Sequence, residues 1–205
     1  ENVYMEANEL LTLNASQDIH ITGVTMRGNS VQVSAAEDTT LDHSTVQAGD
    51  VLSIEAQTLN LYNASLWARN RGTINTDSLN NRDSMVSAAQ MHIDTVTLNN
   101  TDSYLYSAGG TLNITATDAL NTNHGLISAN GDLVGDATSL DNRNGALEAG
   151  SNLDVTSRDL QIEGSRFFAG EHLGVTSNIG TIDAATKFLS ANTMDLDFEG
   201  DLVHH

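Results

Sequence analysis

Twenty-seven Asp and Glu, seven His and eight Lys and Arg are the side chains of this 205-residue chain that could carry acid–base or ligand chemistry. Hydrolysis or elimination on a polysaccharide needs two or three carboxylates converging in one groove, one to give a proton and one to take it or attack. Through the middle of the chain the aspartates are Asp77, Asp83, Asp102, Asp118, Asp132, Asp136, Asp141, Asp154 and Asp159. They fall at different phases of the pattern described below, so the sequence predicts no catalytic group and the chain is read as a non-enzyme. One stretch gathers unlike chemistry: NASLWARNRGTI holds Trp67, Arg69 and Arg71, with Tyr62 just before it and Arg82 one period after. Trp, Tyr and Arg dominate binding hot spots, and an aromatic platform beside guanidinium groups suits a sugar or an acidic partner. These five residues are the candidate binding patch.

The elements that would position such a patch are set by repetition. A small residue recurs as Ala7, Gly28, Ala48, Ala68, Ala88, Ala108, Ala129, Ala149, Ala169 and Ala191, which divides the chain into ten units of about 20 residues. Two positions before it stand Met5, Met26, Val46, Leu66, Val86, Tyr106, Ile127, Leu147, Phe167 and Leu189, all apolar or aromatic and therefore expected in a core. Downstream come alternating pairs such as Leu11 and Leu13, Val31 and Val33, Leu52 and Ile54, Met91 and Ile93, or Leu153 and Val155. Alternation of that kind is a strand with one buried face. Gly or Asn follows the small residue in eight of the ten units, as at Asn29, Gly49, Gly109 and Gly150. These are the residues that accept positive φ at least cost, so this column is expected to be a tight turn. A third strand starts near Leu79, Leu98, Leu120, Leu140 or Leu160, and Asn81, Asn100 and Asn142 follow its leading Leu. Their amides are expected to bond their own turn or the like residue of the next unit.

A 20-residue unit cannot bury an apolar face alone, whereas stacked units can. The predicted fold is all-β: a right-handed parallel β-helix of about ten coils, on the order of 48 Å long at the usual spacing between strands. Residues 1–203 form a single segment of this kind, and His204 and His205 are read as the remnant of a purification tag. In this frame His43 and His124 share a column but lie four coils, about 19 Å, apart, too far to share a metal. His20, His92 and His172 have no second ligand at a telling distance, so no metal site and no cofactor is predicted.

Composition narrows the partners. A formal charge of −19 argues against nucleic acid and anionic membranes, which are bound through Lys and Arg. No apolar run is long enough to span a bilayer. Neither cysteine nor proline occurs, so disulfide and thiolate chemistry are excluded. The start, ENVYMEANELL, has neither a basic region nor a continuous apolar stretch and is not read as a signal peptide.

The pattern L-x-N-x-x-G-x-(I/L)-x-A-G-x-x-L-x-(I/V)-x-(A/S), carried by Leu140, Asn142, Gly145, Leu147, Ala149, Gly150, Leu153, Val155 and Ser157, resembles the filamentous haemagglutinin repeat. The likeness is closest over residues 59–159; coils 1–58 and 160–203 diverge. The resemblance implies a shaft segment of a large exoprotein of a Gram-negative cell, exported through an outer-membrane two-partner secretion transporter and displayed at the cell surface. A chain without cysteine or proline suits threading through such a transporter. The expected function is a structural and adhesive shaft that makes contact with a cell, a surface receptor or a glycan. The alternatives are a receptor-binding or translocation segment of a contact-dependent toxin-delivery exoprotein and, last, a carbohydrate-active β-helix enzyme. Since the secretion domain of such exoproteins is not visible, the chain is read as an internal piece.

Overall fold

The computed structural model describes residues 3–205, and within them every regular element is a β-strand. The strands pair in parallel with the strands about one period away, and all belong to one hydrogen-bonded network. The fold is a parallel β-solenoid of about ten coils. A representative coil runs through Leu126–Ala129, bends at Asn130 and Gly131, continues through Leu133–Asp141, and turns at Asn144 into Ala146–Ala149 of the next coil. Opposite Leu133–Asp141 the preceding coil carries one extra residue between Ala116 and Ala119, where the register shifts.

The expected alternating pairs stack in register. Leu52 and Ile54 lie beside Gly72 and Ile74, which lie beside Met91 and Ile93; further along, Leu133 and Gly135 lie beside Leu153 and Val155. Side chains of one sign of the alternation fill a continuous core that includes Met26, Leu66, Val86, Leu147 and Phe167. The core column differs from expectation in two coils. Val86 pairs with Leu105, not Tyr106, and Phe167 pairs with Phe188, not Leu189. Ser107 and Ser190 accordingly take the small-residue positions assigned to Ala108 and Ala191. For the first of these the cause is a coil-length change: Leu105 follows Val86 by 19 residues and precedes Ile127 by 22, so a fixed period of 20 or 21 misplaces that strand by one residue. For the second, Phe188 follows Phe167 by 21 residues, and the expected step of 22 is one too long. A slip of one residue exchanges inside for outside.

The glycine column also has a different cause from the one expected. Gly150 and Gly170 do not have positive φ. A Cβ on Gly170 would stand 2.0 Å from the carbonyl oxygen of Gly150, and one on Gly150 would stand 2.1 Å from that of Asn130. Glycine is needed there because successive coils approach too closely for a side chain. Positive φ occupies another corner, between the third strand of one coil and the first strand of the next. It appears at Gly23, His43, Asn63, Asp83, Asp102, His124, Asn144 and Gly164, one per coil over eight coils. Asn and Asp tolerate this conformation because their short polar side chains bond locally. His43 uses its ring in that way, with Nδ1 2.7 Å from Asp42 Oδ1.

Ahead of that corner runs a buried column that changes from apolar to polar and back: Ile21, Leu41, Leu61, Asn81, Asn100, Thr122, Asn142 and Ile162. Asn81 Nδ2 donates to Asn100 Oδ1 at 2.7 Å, and Asn100 Nδ2 donates to the Ser103 carbonyl of its own turn at 3.2 Å. Those two amides behave as the sequence suggests. Asn142 does not, since both its side-chain polar atoms are buried without a hydrogen-bond partner. Thr122 and Ile162, its neighbours in the column, provide too little reach or no polarity at all. At the far end Leu202–His204 pairs with Gly180–Ile182, so His204 continues the ladder.

Candidate functional site

The five residues of the predicted patch are distributed over three segments separated by two corners. Tyr62 and Arg82 are register partners at the end of the third strand, immediately before the positive-φ corners at Asn63 and Asp83. They line an open groove of about 390 Å³ with Asn80, Asn81, Asn99 and Thr101. Trp67 lies past the corner, on the outer side of the first strand, where its partners are Gln47 and Ser87. Arg69 sits in the next corner itself, and Arg71 lies just past it, paired with Val51 and Gln90. Gly72, which stands between Leu52 and Met91 where other coils place an apolar side chain, is a packing substitution: Met91 of the next coil fills its space, with Sδ 2.7 Å from where a Cβ would stand.

Trp67 acquires other neighbours instead. The outward positions of the first strand form two ladders running along the solenoid. One passes through Thr45, Ser65, Met85, Tyr104 and Leu126, and the other through Gln47, Trp67, Ser87, Tyr106 and Ser128. Tyr104 is 56% exposed, Met85 46% and Trp67 42%, whereas Ser87 between Trp67 and Tyr106 is only 5% exposed. The aromatic side chains therefore form the walls of the surface and a short hydroxyl its floor. None of these ten outward positions is charged, although the chain carries a net −19. Charges resume on both sides: Arg27 next to Gln47, and Glu148 next to Ser128. Sequence reasoning missed Met85 and Tyr104 and placed Tyr106 in the core. The signal for Tyr104 was its position one before a core residue, legible only with the correct register.

The acids are used elsewhere. Arg143 grips Asp141 through Nε at 2.9 Å and Nη2 at 2.6 Å, within one turn. Burial pushes the Asp141 carboxyl upward, but the hydrogen bonds and charge of Arg143 outweigh it and hold that carboxyl below its usual range. Arg166 binds Glu148 of the preceding coil, Arg158 binds Asp159 at 3.0 Å, and His172 stands 3.7 Å from Asp154. Asp50 accepts from Asn70 at 2.7 Å and Asp132 from Asn152 at 2.9 Å, each pair one coil apart. Asp183 accepts from the Gly164 amide at 2.8 Å and from the Thr186 and Ala185 amides, and these donors lower its pKa. Among the described residues no three His, Asp or Glu side chains are grouped to hold a metal ion. No protein-family model, curated protein or solved structure matches this chain.

Proposed function

We propose that this segment is a structural and adhesive shaft of a secreted bacterial exoprotein, of the filamentous haemagglutinin type that its repeat resembles. The observation that carries this reading is the use of its polar groups. Side chains that in an enzyme would converge on substrate are spent on stacking one coil on the next, as in Asn70 on Asp50, Asn152 on Asp132, Arg166 on Glu148 and Asn81 on Asn100. A rod built this way can be lengthened by whole coils without remaking a site, which is the property a spacer needs. Contact with a cell, receptor or glycan falls to the outer surface around Trp67, and export uses an outer-membrane partner of the two-partner type.

The test is a whole-coil edit. Residues 140–159 constitute one period, since Leu140 and Leu160 are register partners. Deleting them from the full-length protein should leave export, folding and surface contact intact, and adding three copies should lengthen the rod by about 14 Å. Loss of contact on deleting this coil, with the rest of the solenoid still folded, would show that the segment is not a spacer. A toxin-delivery exoprotein is the second reading; it is favoured if coil deletion spares adhesion but stops transfer of cargo to a neighbouring cell.

A further inference from the structure

We propose that the uncharged outer face of coils four to seven, built by Trp67, Met85, Tyr104, Tyr106 and Leu126, binds a neutral saccharide chain laid along the solenoid axis. The inference rests on the contact-making shaft described above and names the ligand chemistry of its contact surface.

Four features select this ligand. First, three of the five Trp and Tyr residues of the chain occupy this face, in a protein with only 4% aromatic residues. Second, their rings are not spent on one another: among the described residues the aromatic pair in ring contact is Phe167 with Phe188, in the core. Trp67 and Tyr106 are two coils apart in one ladder, about 10 Å, and Tyr104 is about 7 Å from Tyr106 along its strand. Trp67 and Tyr106 thus lie in line along the axis, and Tyr104 stands beside Tyr106 across it. The C–H faces of pyranose rings carry the partial positive charge that the negative face of an aromatic ring attracts. Third, the polar groups at hand are hydroxyls and an amide, from Ser65, Ser128, the tyrosines and Gln47, which pair with sugar hydroxyls and leave no buried charge. The Tyr106 hydroxyl is already oriented by Asn130 Oδ1 at 3.0 Å. A polyanion would find no cation on this face and would be repelled by the acids around it.

Fourth, area excludes the commoner occupant. Four strands at about 4.8 Å by four residues at about 3.3 Å give a surface on the order of 250 Å². A stable protein–protein interface needs about 800 Å² from each partner. Widening this face to that size would bring in Arg27, Glu6, Glu148 and Arg166 from the flanking coils. An extended oligosaccharide needs no more than the uncharged strip.

Trp67 is the only tryptophan, so its emission reports this surface directly. The chain is titrated with gluco-, manno- and galacto-configured neutral hexaoses, and its sedimentation is followed over a range of concentrations. A saturable change in emission with at least one hexaose is expected, insensitive to salt because no ion pair is involved. Tyr104→Ala should weaken it by roughly tenfold or more, as loss of a central aromatic contact does, while Arg71→Ala and Arg82→Ala leave it unchanged. Circular dichroism of Tyr104→Ala, whose side chain points outward, checks that the coils remain folded. No saturable change with any of the three hexaoses would overturn the proposal. So would an unchanged titration in folded Tyr104→Ala, or concentration-dependent self-association that Tyr104→Ala abolishes, which would assign the face to a second copy. Each of these failures leaves the whole-coil deletion as a separate test of the shaft.

Discussion

Gly135 should be a site where one added methyl stabilises the solenoid. It occupies a core position between Ile114 and Val155 in adjoining coils, is itself buried, and has no positive φ. A Cβ built on it meets no atom within 4 Å. The space is an internal void of about 10 Å³ bordered by Ile114, Leu120, Ile127, Leu140, Leu147 and Val155. Filling it with Gly135→Ala buries one methyl, about 0.8 kcal/mol, and removes the penalty of glycine in a strand, about 0.5–1 kcal/mol. The sum is about 1.5 kcal/mol, or a rise in Tm of about 3–6 °C for a cooperative domain of this size. Thermal and urea unfolding measure it, and amide exchange over Leu133–Asp141 locates it. Two other core glycines serve as controls, because a neighbour already fills their space: Met91 at Gly72, and Phe198 Cε1 at 2.6 Å from the Cβ position of Gly180. Alanine at those two should be neutral or destabilising. If Gly135→Ala gives no gain, or all three behave alike, the assignment of an unfilled core position is wrong.

The buried amide column offers a paired comparison. Asn142→Leu removes two unpartnered buried polar atoms where Leu61 and Ile162 hold the same position in other coils, and should stabilise by about 1–2 kcal/mol. Asn100→Leu should instead cost at least about 1 kcal/mol, since it takes the acceptor from Asn81 Nδ2, and denaturant melts distinguish the two. At the close-packed corner, Gly170→Ala must displace the Gly150 carbonyl and should destabilise by more than about 1 kcal/mol, read in the same melts. At the positive-φ corner, Asp102→Val should cost about 1–2 kcal/mol while Asp102→Gly costs nothing. Near the last coils Asp183 has a lowered pKa, so its stabilisation is complete above the ordinary carboxylate value near about 3.9 and is lost as pH falls through its folded value. The protection factor of the Gly164 amide, which donates to Asp183, should therefore fall in that acid window and stay constant above it.

Much of this architecture was legible because the coil period, the alternating pairs and the leading leucines are enforced by stacking in every coil. Where coils vary in length the reading failed. The 19- and 22-residue steps on either side of Leu105 concealed that Tyr104 and Tyr106 face outward together, so the surface around Trp67 was sought among the arginines that follow it in sequence. Sequence neighbours such as Trp67 and Arg71 are separated by a corner, whereas Trp67 and Tyr106, 39 positions apart, share a ladder. The corner glycines misled for a related reason. Gly150 and Asn144 belong to residue types that both favour turns, and only the distance from Gly150 to the coil beneath distinguishes a need for space from a need for positive φ.

The proposed confinement of recognition to one aromatic face makes a directional demand on mutagenesis. Surface contact by the full-length protein should be compared between Trp67→Ala/Tyr104→Ala and Arg143→Ala/Asp159→Ala, both pairs lying on outward positions of the same rod. The first pair should lose contact and keep its melting temperature, and the second should keep contact. Contact that survives the first pair, or is lost equally with the second, would contradict the assignment of recognition to this face.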